Sequence, residues 1–246
     1  MLQAHWTPPH GLRMILGPGH GGGTMTGEQE MRVRRVLTAI GQSLCGVLAF
    51  ASLAAPSPSA HANDLDFDGS AWARAAGPHG LDPALLYALT LVESRRAIAP
   101  EMIGPWPWVI RTPTGGYWFN SRERAEQGLE AVLAKWPAKR VDVGIAQVNV
   151  GWHANRFDDP VKLLGMEYNL EIAAGILADA IDSTRDTVIG VGRYHHWASE
   201  SRSRAYGQRV WSTYRDVTFA SPNPAGRFLL TTEADLVSVA AELARE

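Results

Sequence analysis

DPALLYALTLVESRR, residues 82–96, reads as one helix that ends in a carboxylate. Asp82 is placed to accept from the first free backbone N–H groups, and Pro83 suits the first helical position. Leu85, Leu86, Leu89 and Val92 recur at helical spacing and predict a core-facing side. Glu93 falls in the last turn, next to Ser94. A carboxylate there has apolar packing on one side and room for a cleft on the other. Such surroundings raise a glutamate's pKa and make it a usable general acid near neutral pH. On its own, a glutamate late in a helix is ordinarily a solvated side chain, so its chemistry has to be argued from the rest of the chain.

Three later stretches supply that context: DVGIAQVN (Asp142–Asn149), NLEIAAGIL (Asn169–Leu177) and VGRYHHW (Val191–Trp197). In this order they resemble the soluble lytic transglycosylase domain, a lysozyme-like fold acting on peptidoglycan. The family pattern is Glu-Ser at a helix end, then a Gly-x-x-Gln-x-Asn segment, an Asn…Ala-Gly helix and a Tyr-containing segment. The resemblance implies a mainly α (α+β) architecture over residues 72–217: a lysozyme-like helical domain with a small β-hairpin insertion. It implies Glu93 as the catalytic residue, no metal and no cofactor. Ser94, Gln147, Asn149 and Tyr194 would surround the substrate. The family continues Tyr-Asn where this chain has Tyr194, His195 and His196, which leaves contacts after the tyrosine open.

The 246 residues suffice for one or two domains, and 46% hydrophobic with 20% charged residues support a real core. A net charge of −2 argues against a nucleic-acid partner. Residues 31–62 read as a secretory signal peptide. Met31–Arg35 is basic, Val36–Ala55 is apolar, and Ala60-His61-Ala62 is a small-residue cleavage signal. Cleavage after Ala62 predicts a periplasmic protein without stable membrane insertion. A retained anchor is the competing reading, since Val36–Ala55 is long enough to span. Residues 1–30, rich in Gly, His and Pro, read as an upstream segment ahead of a true start at Met31 or Met25. GPGHGGG (Gly17–Gly23) lacks the strand before it and the Lys-Ser/Thr after it that a phosphate loop needs. The single cysteine, Cys45, lies in the leader, so the remainder offers no disulfide, cysteine nucleophile or cysteine metal site.

Residues 63–71 read as a flexible arm overlapping a first helix at Ser70–Ala76, and GPHG (Gly77–Gly80) as a turn. Trp106–Asn120 reads as a β-hairpin turning at Thr112–Gly116. Its Pro105-Trp106-Pro107-Trp108 run is similar to an insertion in transglycosylases attached to conjugation and type IV secretion systems, which implies components of such a machine as partners. Trp106, Trp108 and Tyr117 are candidates for stacking on sugar rings; closing a small apolar cluster is the other reading. Helices are predicted at Ser121–Lys135, Tyr168–Ile181, Arg185–Trp197 and Ser201–Val217. In the last of these, Tyr206, Val210 and Tyr214 form a stripe of core type. Residues 218–246 form a C-terminal extension with a break at Ser221–Gly226 and a short helix at Thr232–Arg245.

Ordinary glycoside hydrolysis uses two carboxylates. The family needs one: the glutamate protonates the glycosidic oxygen, then takes the proton of the sugar's own C6 hydroxyl as that oxygen attacks C1. The product is 1,6-anhydro-N-acetylmuramic acid. A goose-type muramidase on the same fold would recruit a second acid, for which Asp142 is the candidate. A zinc hydrolase would draw on His153, His195, His196 and Asp142, but no HExxH is present. A non-catalytic peptidoglycan-binding scaffold is the reading from a different class.

Overall fold

The computed structural model describes residues 65–99, 102–219, 227–228 and 232–243. The leader and upstream segment, and the break at 221–226, lie outside the described residues. At the centre is α2, Pro83–Ser94, with Asp82 as its cap accepting from the Ala84 N–H at 2.8 Å. The sequence predicts one apolar face. In the structure Leu85, Leu86, Tyr87, Ala88, Leu89 and Leu91 are all buried, and only Val92 on that stretch is half-exposed. A helix apolar all round is one wrapped by others.

The wrapping elements follow the chain. The first, α1 (Ala71–Ala76), is capped by Ser70, and the Trp72 indole N–H donates to Thr90 of α2 at 3.2 Å. Residues expected to form a free arm instead dock: Phe67 meets the Tyr87 ring edge-on at 5.6 Å. Next come α3 (Arg122–Lys135), capped by Ser121, and α4 (Met166–Asp182). Helix α5 (Thr187–Arg193) crosses α6 (Glu200–Thr218), which also lies along α2. The α5–α6 crossing is a backbone contact. A Cβ on Gly192 would stand 1.7 Å from the Ser203 carbonyl oxygen, and one on Gly207 1.9 Å from that of Val188. A short α7 (Glu233–Leu243) buries Leu236. Among the described residues no helix is long and apolar enough to cross a membrane.

The predicted hairpin is present as β3 (Val109–Thr112) and β4 (Gly115–Trp118), paired from Val109–Trp118 to Thr112–Gly115. It is part of more β-structure than expected. Strands β5 (Asp142–Val143) and β6 (Val148–Asn149) extend it into a four-stranded sheet of order β4-β3-β5-β6. A second sheet joins β1 (Arg95–Ala99), β2 (Met102–Pro105) and, in parallel, β7 (Arg227–Phe228). The molecule is thus mainly helical with small, mostly antiparallel sheets. The helix predicted over residues 185–197 stops at Arg193. The N–H groups of His195 and His196 both turn back to the Gly192 carbonyl, at 3.1 Å each, and the chain leaves the helix as a tight turn. Two glycines in α5 make that exit cheap.

Candidate active site

The loop between β5 and β6 is held from three helices. Gly144 has a φ of +85°, and a Cβ there would lie 2.2 Å from the Asn169 amide nitrogen and 2.3 Å from the Leu163 carbonyl. Only glycine fits. Asn169, buried inside α4, accepts from the Ala146 N–H at 3.0 Å and donates to the carbonyls of Val143 (2.9 Å) and Leu163 (2.8 Å). It is a brace rather than a cap; Gly165 occupies the cap position. Ser94 donates to the Ile145 carbonyl at 2.5 Å, and Tyr194 to that of Ala146 at 2.8 Å. Four motifs far apart in sequence therefore meet on one turn of backbone.

These bonds revise the expected roles. Ser94 is fully buried and fixes the loop against α2, so it does not touch a substrate. Gln147 adopts a φ of +51°, and its amide nitrogen donates to the carbonyls of Gly144 (2.7 Å) and Val109 (3.1 Å). Its Oε1 is buried with no donor. Asn149 donates to Asp142 at 2.7 Å and to the Lys139 carbonyl at 3.2 Å, and accepts from the N–H groups of Gly151 and Trp152.

Glu93, 5% exposed, stands at the end of α2 beside this loop. Tyr206 donates a short hydrogen bond to its Oε1. The Nδ1 of His195 is 3.7 Å from the same oxygen, and the His195 ring stacks on Tyr206 at 4.9 Å. Arg111 donates to the Glu93 backbone carbonyl at 3.2 Å. Burial pushes the Glu93 carboxyl above the usual range, against the opposing pull of Tyr206, Arg111 and Arg209. Burial also raises Asp142, opposed by Asn149 and reinforced by the charge of Glu93. Burial lowers His195, with Asp142 resisting. Tyr206 lies well above its ordinary value through burial and the Glu93 charge, so it remains a neutral donor. The arrangement is a buried carboxyl, raised in pKa by its burial and held in place by a phenol, with an imidazole of lowered pKa beside it.

A cleft of about 730 Å³ opens next to this group, lined by Asp142, Gln147, Asn149, Tyr194, His195 and the indoles of Trp152 and Trp197 among others. Glu93 is not among the lining residues; its Oε1 lies 3.7 Å from Nδ1 of His195, which is. The aromatic surface is not where the sequence reading expects it. Trp106 and Trp108 are 0% and 1% exposed, packed edge-to-face on each other at 5.5 Å, so they close the apolar cluster and cannot stack on a sugar. Trp152 and Trp197 are 66% and 60% exposed and border the cleft. Tyr117 is exposed on β4, hydrogen-bonded to Thr114 at the hairpin turn, and does not line the cleft.

The sequence pattern places Tyr206 in a core stripe and offers His195 only as a ligand in the zinc-hydrolase alternative. Tyrosine's buried ring needs a partner for its hydroxyl, and that requirement was the available signal. No signal separated Trp152 and Trp197 from the buried tryptophans. Among the described residues no three His, Cys, Asp or Glu side chains come together as a metal-holding group. Comparisons with family models, curated proteins and solved structures find no match for this chain.

Proposed function

We propose that this protein is a peptidoglycan lytic transglycosylase with a lysozyme-like catalytic domain. Glu93 acts as its single acid and base. The observation that carries this reading is the Glu93 carboxyl: buried, held by Tyr206, raised in pKa, and one imidazole away from a cleft with exposed indoles. A carboxyl whose pKa is raised by burial keeps its proton to higher pH than a solvated glutamate, which suits it to protonate a glycosidic oxygen.

In the reaction, Glu93 gives its proton to the oxygen leaving C1 of N-acetylmuramic acid as that C–O bond breaks. The substrate's own acetamido group stabilises the charge at C1. The Glu93 carboxylate then takes the proton of the C6 hydroxyl while O6 bonds to C1, which closes the 1,6-anhydro ring and restores the acid. No water is consumed. Tyr206 holds the carboxyl, and Gln147, through its bonds to the Gly144 and Val109 carbonyls, holds the loop that borders the cleft. Trp152 and Trp197 supply apolar faces for the sugar rings. The setting we propose is the periplasm, after signal-peptide removal, with local wall opening for a conjugation or secretion apparatus as the purpose.

A second reading has an observation of its own. Asp142 lines the same cleft and feels the Glu93 charge, so a second carboxylate is at hand for a hydrolytic muramidase. Mass spectrometry of products released from purified peptidoglycan separates the two. Anhydro ends, lighter by one water and absent with Glu93→Gln, are expected. Reducing ends would make the enzyme a hydrolase. Retained wall binding without any release would make it a scaffold.

A further inference from the structure

We infer that the cleft contains a carboxylate subsite beside His195, formed by Arg202 and His196 with Arg193, which takes the carboxylate carried on the 3-O side chain of a muramic acid residue. This deepens the transglycosylase reading and rests on it.

The three side chains line the cleft together with His195. The two guanidinium groups carry charge without an acidic partner, and His196 adds a neutral imidazole. Within the same cleft Arg156 is paired with Asp179, and further along α6 Arg204 is paired with Asp186 and Glu200. Arg202 and Arg193 have no ion pair among the described residues. Arg193 donates to the carbonyl and hydroxyl oxygens of Ser183 at 2.8 and 2.7 Å, neutral partners that leave its charge in place. Arg202 is exposed on the first turn of α6. Burial first, and then the neighbouring His195, Arg202 and Arg209, hold His196 down to about 4. The chain as a whole is negative, with 25 acidic against 23 basic residues, so this concentration of cations is local.

The cleft therefore has two chemistries in sequence. His195 Nδ1 lies 3.7 Å from Glu93 Oε1, the His196 ring packs edge-on against that of His195 at 4.5 Å, and Arg202 lines the same cleft. A muramic acid residue has the matching layout. The reacting C1 and the ether at C3 belong to one ring, and the C3 ether carries either a free lactyl carboxylate or a peptide with carboxylates of its own. N-acetylglucosamine has neither. Guanidinium groups recognise carboxylates through paired, charge-assisted hydrogen bonds. A subsite of this kind would select muramic acid at the bond to be cut.

The test uses the full chain carrying Glu93→Gln, so that ligands are not consumed, titrated calorimetrically with three tetrasaccharides. One is chitotetraose, which has no carboxylate. The second is the peptide-free GlcNAc–MurNAc tetrasaccharide. The third is the same glycan with its stem peptides. The muramic acid ligands should bind about tenfold more tightly than chitotetraose, the worth of one charge-assisted contact. That advantage should shrink at high salt. It should disappear with Arg202→Gln, an exposed position whose replacement leaves the melting temperature unchanged, while chitotetraose affinity stays constant. The imidazole signals of His196 should titrate at higher pH when the muramic acid ligand is bound. An advantage already present without peptides identifies the lactyl carboxylate; one that needs the peptides identifies theirs. Equal binding of all three, or equal weakening of all three by Arg202→Gln, overturns the subsite and leaves the transglycosylase reading standing. Failure of every glycan to bind overturns both.

Discussion

Tyr206 and Glu93 are 113 residues apart in sequence, and the tyrosine hydroxyl donates to Oε1 of the glutamate in a buried contact. The link exists because α6 lies along α2 and because Gly207, next to the tyrosine, lets α5 and α6 touch. A hydroxyl donating to a carboxylate favours its charged form, so Tyr206 holds the Glu93 pKa lower than burial alone would. Tyr206→Phe should therefore raise that pKa and move the alkaline limb of the pH–activity profile upward. In the proposed reaction that limb is set by loss of the Glu93 proton. The turnover rate should fall about tenfold because the carboxyl loses its orientation, and stability by about 1–2 kcal/mol. An unmoved limb would show that the phenol does not act on the acid.

Glu93 itself should cost stability at neutral pH. Its folded pKa lies above its ordinary value of 4.5. Below that value the carboxyl is protonated in both states and its burial is tolerated. As pH rises through the folded pKa, a charge has to be held in a buried site, and stability is lost. Glutamine stays neutral and can still accept from Tyr206. Glu93→Gln should thus melt about 2–8 °C higher than the wild type at mildly alkaline pH. The gap should close on acidification, and glycan cleavage should be abolished throughout. A constant gap across pH would mean that the carboxyl is not the source of the cost.

Much of this could be read in advance, and the failures have a common cause. The cap at Asp82, the turn after Thr112 and the helices predicted at Ser121–Lys135 and Tyr168–Ile181 are local in origin, and each appears within about two residues of where the sequence predicts it. Local patterns are silent about partners distant in the chain. Strands β5 and β6 are two residues long; β5 pairs with β3, about thirty residues earlier, and β6 with β5. In the stripe of Tyr206, Val210 and Tyr214 the first two are buried and Tyr214 is partly exposed, with its hydroxyl on Asp82; periodicity cannot tell what a buried hydroxyl touches. Four tryptophans of similar local character divide into two buried and two exposed through packing alone.

The Gly144–Asn169 contact makes a prediction about folding rather than chemistry. Gly144→Ala would drive a methyl group into the Asn169 amide and the Leu163 carbonyl at distances no side chain tolerates, in a backbone conformation that already disfavours alanine. Asn169→Ala would strand one N–H and two carbonyls in a buried site. Each should destabilise by about 3 kcal/mol or more. Circular dichroism melts test this. Near-normal melting of either variant would show that the loop has another anchor.

The tryptophans should separate cleanly into two kinds. Trp106→Ala and Trp108→Ala each open a large cavity in the core and should cost about 3–5 kcal/mol. Trp152→Ala and Trp197→Ala remove exposed surface and should leave the melting temperature within a few degrees. They should weaken glycan binding severalfold, as loss of a stacking face does. Equal glycan affinity in the last two variants would remove the aromatic walls from the proposed substrate path.

Asp142 decides between the two reactions. Its carboxylate accepts from Asn149, which ties it to the β5–β6 pair, and it also lines the cleft. If it only braces the loop, Asp142→Asn should preserve anhydro-product formation within about threefold. The replacement keeps the size of the group and removes only its charge. Removing a negative neighbour should also ease ionisation of Glu93 and shift the alkaline limb of activity downward, because the two charges repel. A hydrolase needs this carboxylate to activate water on the opposite side of the sugar, and there the same substitution should cost at least about a hundredfold. Products carrying reducing ends from the wild type, and none from Asp142→Asn, would assign the site to hydrolysis.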